Sequence, residues 1–369
     1  MQTQTGRGIG PAGAAGHDTE VSADPMDTES TRTEDAAVVA AARAGDEAAF
    51  ARLVRRYERE LHVHCYRMLA SYEDAEDLTQ ETFLRAWTRR DTFQGRATFR
   101  AWLYRIATNA CLDFLERSPT RRQVAGVAQA PPAAVAWLRP YPDRLLTGGT
   151  SEDGAPDAVV LAKETIELAF LAAIQHLPPR QRAALILRDV LGWPAEATGT
   201  LLESTVASVN SALQRARATL RRHLPPRRLD WAPSGDPSAA ERAVLQRYLA
   251  ATERCDMAEL AALLRADARC GQQPGAGGHF GAHPVWYQGR DTIITAWSPA
   301  LDGADAVEFR CVETWANRQP AAAVYVRAPG ETRWHAFGLD VLRIEEGQVA
   351  EVTAFHPDVL PAFDLPMTM

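Results

Sequence analysis

Two amphipathic helices, predicted between Tyr72 and Leu115, constrain this chain more than any other stretch of its sequence. In the first half, apolar or small residues recur with the i, i+3, i+4, i+7 spacing of one helix face, at Ala75, Leu78, Thr79, Thr82, Phe83, Ala86 and Trp87. After a loop from Asp91 to Ala97, the second half repeats the pattern at Phe99, Trp102, Leu103, Ile106, Ala110 and Phe114. The sequence therefore predicts two helices that pack through these faces into a helical bundle.

The edge of the second helix carries three side chains that suit unpaired nucleic-acid bases. Trp102, Arg105 and Asn109 form one strip that offers stacking, positive charge and hydrogen bonding together. Aromatic residues at helical spacing are more often part of a protein core. The spacing alone therefore leaves both interpretations open, a base-binding strip and a packed face.

The residues of this segment favour the first interpretation. DAEDLTQETFLRAW followed by TFRAWLYRIATNACLDFL resembles region 2 of the sigma-70 family, in particular the extracytoplasmic-function (ECF) sigma factors, over about Ala36 to Arg117. The resemblance implies an all-α bundle that binds core RNA polymerase and melts the minus-ten promoter element. It implies that polymerase is contacted by Asp77, Leu78, Gln80, Glu81 and Leu84. It implies that minus-ten DNA is contacted by Phe93, Arg96, Thr98, Arg100, Trp102, Arg105 and Asn109.

Charge is distributed unevenly along the chain. The net charge is −7, yet residues 176–228 carry +6 and residues 229–369 carry −8. A short basic unit inside an acidic chain indicates a local nucleic-acid contact rather than general binding of polyanions. Residues 1–35 contain almost no large apolar side chains and are predicted to be a disordered tail.

The basic unit contains a predicted helix-turn-helix. Helices are expected over Pro194–Leu202 and Thr205–Arg222, with Ser204 or Thr205 as the N-cap of the second. The inward face of the second helix is predicted at Val206, Val209, Leu213, Ala216 and Leu220. Its outward side chains include Asn, Gln and Arg, which pair with base edges and phosphates.

LPPRQRAALILRDVLGW followed by TVASVNSALQRARATLRR resembles sigma-70 region 4, which reads the minus-thirty-five element. The outward residues that the resemblance assigns to this DNA are Ser208, Asn210, Ser211, Gln214, Arg215, Arg217 and Arg221. Relatives often have basic or aromatic residues at the positions of Asn210 and Gln214. The promoter sequence that relatives recognise therefore cannot be assigned to this chain. Gly199 is expected to weaken the first helix by about 1 kcal/mol relative to Ala.

Residues 118–160 are rich in Pro, Gly and Ala and are predicted to be a linker. Its aromatic island, residues 137–146, is expected to pack on a neighbour. The predicted order is a tail at 1–35, region 2 at 36–117, the linker at 118–160, region 4 at 161–226 and a C-terminal domain at 238–369.

The C-terminal segment changes from helical to extended patterning. Helices are predicted at Ala239–Thr252, Asp256–Leu264 and Asp291–Trp297. Strands are predicted at Pro284–Gln288, Val307–Trp315, Ala321–Arg327, Trp334–Ile344 and Val349–Phe355. This order favours an α+β cone with a curved antiparallel sheet.

With WYQGRDTI as the best local match, the C-terminal segment resembles the SnoaL-like members of the nuclear transport factor 2 fold. The resemblance implies an open apolar mouth, with a candidate pocket lined by Trp286, Tyr287, Trp297, Trp334, His335 and Asp340. The alternative is an aromatic core with surface histidines. No motif identifies a nucleophile or an acid/base pair.

Other site chemistry is not indicated. The five cysteines form no CxxC pair and are expected to be reduced thiols. His62, His64 and Cys65 would point in different directions on one helix, so neither a metal nor a cofactor is predicted. No apolar run reaches the ~18 residues of a membrane helix, and we expect a cytoplasmic protein without a membrane partner.

The sequence thus predicts a multidomain, non-enzymatic sigma factor. It would bind core RNA polymerase and promoter DNA, and a fused C-terminal domain would modulate its activity and offer a candidate small-molecule site. One alternative is a ligand-sensing helix-turn-helix regulator, which leaves the Tyr72–Leu115 resemblance unexplained. Another is a sigma factor fused to an active SnoaL-like isomerase or cyclase.

Overall fold

The computed structural model describes residues 36–121, 131–147, 166–224, 239–302 and 307–369. The predictions for the tail, for residues 122–130 and 148–160 of the linker and for the start of region 4 up to residue 165 lie outside these ranges. The chain divides into two units, Met1–Arg52 and Leu53–Met369. In the first unit, Asp46 accepts hydrogen bonds from the backbone N–H of Ala48 and Ala49, which caps the helix that begins at Glu47.

The N-terminal helices follow the predicted pattern. They are α1 (residues 36–43), α2 (Glu47–Leu69), α3 (Tyr72–Thr88) and α4 (Phe99–Arg117). Ser71 and Thr98 are the N-caps of α3 and α4, since their hydroxyls accept hydrogen bonds from the backbone N–H groups of Asp74 and Ala101. The two helices pack together through the predicted apolar faces, of which only Trp87 and Phe114 are half-buried rather than buried.

The middle of the chain is also helical. It contains α5 (Arg144–Thr147), α6 (Leu168–Gln175), α7 (Pro179–Leu185, continued by a π turn at Ile186–Val190), α8 (Ala195–Leu201) and α9 (Val206–His223). Thr205 is the N-cap of α9. Its inner face is buried as predicted at Val209, Leu213, Ala216 and Leu220. The prediction is wrong at Val206, which is 40% exposed because it lies in the first turn, before the helix meets its neighbours.

The C-terminal part combines helices with a six-stranded sheet. The helices are α10 (Ala239–Glu253), α11 (Met257–Leu263) and α12 (Arg290–Asp302). The strands are β1 (Leu264–Gln272), β2 (Val285–Gln288), β3 (Glu308–Ala316), β4 (Gln319–Arg327), β5 (His335–Glu345) and β6 (Gln348–Phe355), in the order β2-β1-β6-β5-β4-β3. The sheet is open and packs its apolar face against these helices, which confirms the α+β class. Within the described residues, no helix combines the length and apolar character needed to cross a bilayer.

The expectation of an antiparallel sheet is wrong at one position. Strand β1 was not predicted, and it pairs in parallel with β6, so the sheet is mixed. Its sequence interleaves Arg265, Asp267 and Arg269 with small and apolar residues, and its register with β6 shifts between Leu264 and Arg269. These charges alternate with small and apolar residues, which is the period of a strand, but the strand was missed because Ala and Asp are weak strand formers. In the structure, Arg269 pairs with buried Glu351 at 3.3 Å.

Gly199 has a steric role that helix propensity does not reveal. A Cβ at this position would lie 2.8 Å from the backbone oxygen of Ser204, in the turn between α8 and α9. The glycine therefore permits the close approach of the turn to α8.

We expect Gly199→Ala to destabilise α8 and α9 despite the higher helix propensity of alanine. Overpacking costs about 1–3 kcal/mol, which exceeds the gain of about 1 kcal/mol from propensity. Hydrogen exchange should show weaker amide protection in both helices. The control is Ala197→Gly at an exposed position of α8, where only the propensity loss applies. Unchanged or increased protection in Gly199→Ala would contradict the steric role.

Candidate polymerase, promoter and ligand sites

The outer face of α3 presents four of the five residues predicted to bind polymerase. Asp77 and Gln80 are exposed, Glu81 forms an ion pair with Arg85 at 2.6 Å, and Leu84 is 67% exposed. The prediction for Leu78 is wrong because this residue belongs to the buried face of α3 and is only 5% exposed. The remaining four residues form an acidic surface around one apolar side chain.

The loop before α4 rests on a buried aromatic cluster. Phe93, Phe99 and Trp102 lie with their ring centroids 5.4 Å apart in each pair. Each is 7–8% exposed, so the prediction that Phe93 and Trp102 offer a face to bases is wrong for this arrangement. The cluster supports the loop that presents exposed Arg96. Thr98 is exposed, and its hydroxyl caps α4.

Arg100 binds a carboxylate inside the bundle. Its guanidinium contacts Glu60, which is 4% exposed, at 2.7 Å and also lies over the ring of Tyr104. A buried carboxylate needs such a partner, so Arg100 is paired inside the bundle in this arrangement, and its contact with a phosphate stays a prediction. Arg105 is exposed and Asn109 is half-buried on the same helix. These two residues and Arg96 remain the polar candidates for minus-ten DNA.

The outer face of α9 carries the residues predicted to read minus-thirty-five DNA. All seven are exposed there: Ser208, Asn210, Ser211, Gln214, Arg215, Arg217 and Arg221. The hydroxyl of Ser208 accepts a hydrogen bond from Thr205 in the helix cap. Arg217 forms a bidentate ion pair with Asp189 at 2.7 and 2.8 Å on the same exposed face, and its contact with DNA stays a prediction. The other exposed residues keep a polar, basic face directed at solvent.

The helices before α9 pack directly on the α2–α4 bundle. Arg182 of α7 is fully buried and donates hydrogen bonds to the carbonyl of Met68 at the end of α2 and to carbonyls after α6. Trp193 lies 5.1 Å from Tyr104 of α4. The bundle that carries the minus-ten candidates is therefore in contact with the helices that precede α9.

A second buried contact joins four segments of the chain, and we call it the junction: Tyr66 of α2, Tyr141 of the linker, Ile166 before α6 and Asn317 in the β3–β4 turn. The Asn317 amide donates to the Tyr66 hydroxyl at 2.8 Å and to the Ile166 carbonyl at 2.6 Å. Its Oδ1 accepts from the Tyr141 N–H at 2.8 Å. Asn317 is fully buried with φ +58°, a conformation that Asn tolerates better than most residues.

The aromatic island of the linker packs between the N-terminal bundle and the C-terminal sheet, as the sequence predicted for a neighbour contact. Leu138, Tyr141 and Leu146 are buried. Gln273, just after β1, donates to the carbonyls of Val135 and Leu138. Two ion pairs complete the contact, Arg139 with Asp358 at 2.8 Å and Arg144 with Asp364 at 3.0 Å.

The two histidines considered as metal ligands have structural partners. His62 Nδ1 lies 2.8 Å from the Tyr141 hydroxyl, and His64 Nε2 lies 2.9 Å from the Thr108 hydroxyl. Burial lowers the pKa of His62 to about 4 and that of His64 to about 3. Both are therefore neutral hydrogen-bonding groups in the bundle at neutral pH.

The C-terminal domain contains a cavity of about 80 Å³ between α10, α12 and the sheet. Trp297 and Asp340 line it, as predicted. The other four predicted residues are not in the lining of this cavity: Trp286 and His335 are about half exposed, Trp334 packs under Arg327, and Tyr287 packs against the core. Tyr248, which sequence reasoning missed, donates a hydrogen bond to Asp340 at 2.9 Å. Tyr248 lies on the apolar face of an amphipathic helix, so its position in the sequence is that of an ordinary core residue.

Comparisons with known proteins agree with this division of the chain. Family models match for Sigma-70 region 2 at residues 53–120, Sigma-70 region 4 at 167–220 and a SnoaL-like domain at 245–352. The domain boundaries given above remain predictions, since these matches do not delimit the domains.

The ECF RNA polymerase sigma factor SigG of Mycobacterium tuberculosis (strain CDC 1551 / Oshkosh) is 39% identical over 320 residues, which cover 84% of this chain and 82% of the relative. SigW of Bacillus subtilis is 31% identical over 180 residues, 49% of this chain and 91% of SigW. The crystal structure of the M. tuberculosis ECF sigma factor SigJ superimposes with a TM-score of 0.55 at 21% identity, covers 85% of this chain and 99% of SigJ, and shows the same fold. By its sequence and its two sigma-70 regions, this chain belongs to the family of ECF RNA polymerase sigma factors.

Proposed function

We propose that the chain directs core RNA polymerase to promoters and that its C-terminal domain restrains this activity. The acidic face at Asp77, Gln80, Glu81 and Leu84 would bind polymerase. Arg96, Arg105 and Asn109 would contact minus-ten DNA. Minus-thirty-five DNA would be contacted by residues on the exposed face of α9: Asn210, Ser211, Gln214, Arg215 and Arg221. The proposal assigns binding and no chemical step to the chain, and it requires the chain to act in the cytoplasm with polymerase and DNA.

The junction is the observation that carries the restraint. Asn317 of the C-terminal domain is hydrogen-bonded to the minus-ten bundle, to the linker and to the segment that leads into the helix-turn-helix. Gln319, two residues later, accepts a hydrogen bond from the first N–H of α6 at 3.0 Å. The C-terminal domain would therefore hold together the two parts that are proposed to bind DNA.

Holding these parts together is expected to oppose initiation. The minus-ten and minus-thirty-five elements are separate segments of one duplex, whereas α4 and the helix-turn-helix are in contact here. Binding both elements at once requires the contact to open, and every bond that stabilises the closed arrangement reduces the population that can bind. The alternative regulator that works without polymerase gives the acidic face of α3 no role.

We expect Asn317→Gly to raise initiation by about fivefold to a hundredfold. Glycine keeps the positive φ but removes hydrogen bonds whose loss costs about 1–3 kcal/mol in a buried site, and 1.4 kcal/mol corresponds to a tenfold population change. The measurement is run-off transcription with purified core polymerase. A chain ending near Arg228 should likewise initiate more strongly than the full chain.

The matched control is Glu346→Gly, which also places glycine at a position of positive φ, in the exposed β5–β6 turn. It should leave initiation unchanged. Equal activity of wild type, Asn317→Gly and the shortened chain would reject the restraint. Failure of every form to initiate with core polymerase would reject the sigma function itself.

Two α9 variants should separate base reading from phosphate binding. Gln214→Ala should cost about 1–3 kcal/mol at one base pair and relax the preference there. Arg221→Ala should weaken binding to all sequences and reduce the salt slope of log K by about one. Holoenzyme binding to minus-thirty-five duplexes varied at single positions, at several salt concentrations, tests both. Arg310→Ala, an exposed arginine of the C-terminal domain, is the control, and identical profiles for the two α9 variants would contradict these assignments.

A further inference from the structure

The cavity of the C-terminal domain is apolar with one acidic wall. Its apolar lining includes Trp297, Phe309 and Phe337, and its acidic wall is Asp340 on β5. A buried water needs about 10–15 Å³ by the same measure, so a volume of about 80 Å³ accommodates a ligand of roughly five to eight non-hydrogen atoms. The size and the lining suit a small hydrocarbon group with one polar end.

The acidic wall has an unused hydrogen-bonding position. Asp340 Oδ2 accepts a hydrogen bond from the Tyr248 hydroxyl at 2.9 Å, whereas Oδ1 accepts none from the described part of the chain. Burial raises the pKa of Asp340 to about 6, and the Tyr248 hydrogen bond opposes that rise. The carboxyl is therefore mostly ionised above neutral pH, although it lines a mainly apolar cavity.

Other groups near Asp340 do not change charge in this pH range. From the surrounding elements, Tyr248, Cys270 and Cys311 face it, and burial raises the pKa of each above its ordinary value. The neighbouring strands place Ala322 and Ala354 opposite it. An ionised Asp340 is therefore a negative charge among neutral groups.

We propose that this cavity binds a small apolar amine in its protonated form. The ammonium group would donate a hydrogen bond to Asp340 Oδ1, and the hydrocarbon part would fill the space between Trp297, Phe309 and Phe337. An ionised carboxylate removed from water is costly unless it is paired. Aromatic faces add a favourable interaction with a desolvated cation. A neutral ligand of the same shape would leave the charge unpaired.

The cavity is connected to the linker through the end of β1. Gln272 lines the cavity and donates to the Gly277 carbonyl, which belongs to the same wall. The side-chain amide of the adjacent Gln273 donates hydrogen bonds to the carbonyls of Val135 and Leu138 in the linker. An occupant that moves Gln272 therefore acts on the residue that anchors the linker. This step rests on the proposed restraint of initiation by the C-terminal domain.

Calorimetric titration of the full chain with isopentylamine and with its neutral isostere, isopentyl alcohol, tests the site. At about pH 7.5 the amine should bind at least tenfold more tightly than the alcohol. Its affinity should fall as the pH is lowered through about 6, because protonation of Asp340 removes the charge while the amine stays protonated. Asp340→Asn should abolish the preference for the amine, and Asp291→Asn, at an exposed position of α12, should retain it.

Equal affinity for the two probes, no binding of either, or an amine affinity in wild type that does not change with pH would overturn the site. The pH series needs no variant, so the test stands even if Asp340→Asn does not fold. Run-off transcription with isopentylamine separates the remaining outcomes. If the amine binds but leaves wild-type initiation unchanged while Asn317→Gly raises it, the link to the linker is wrong and the restraint stands. If the amine binds and Asn317→Gly has no effect, the site stands and the restraint is wrong.

Discussion

The arrangement of the described parts depends on the hydrogen bonds of one buried carboxamide. Asn317 is fully enclosed, so each of its polar atoms must find a partner inside the protein. The partners belong to α2, to the linker and to the chain before α6. Displacing any of these segments would leave a buried polar group unsatisfied, at a cost of about 1–3 kcal/mol. The turn therefore acts as a common anchor for segments that are distant in the sequence.

Some of the arginines of the sigma regions are paired within the protein. Arg100 neutralises buried Glu60, Arg217 pairs with Asp189, and Arg182 is enclosed by backbone carbonyls. What remains exposed on α9 is a smaller set of Asn, Gln and Arg side chains. Residue type alone therefore overstates the DNA-binding surface, since the same arginine serves as a phosphate ligand or as an internal partner according to its neighbours.

The SnoaL-like part combines two roles in one sheet. Its β3–β4 turn and the end of β1 hold the sigma regions and the linker. It also contains a cavity lined by apolar side chains and by one carboxyl, that of Asp340. Gln272 lines the cavity, and the adjacent Gln273 donates a hydrogen bond to the linker. A change of conformation at Gln272 would therefore be transmitted to the residue that contacts the linker.

Local patterns in the sequence determined the main helices, the cap of α9 and most of the strands. The buried faces of α3 and α9 and the exposed residues of α9 follow from spacing and residue type, which act within a few turns of chain. The two sigma-70 regions were indicated by a resemblance of sequence, which the family models confirm. Only the tertiary structure decided that β1 pairs in parallel, that Phe93 and Trp102 are buried, and that Tyr248 meets Asp340. It also decided that Asn317 joins four segments, because its partners lie 151–251 residues away along the chain. Contacts at such separations depend on the packing of whole elements, and no local periodicity records them.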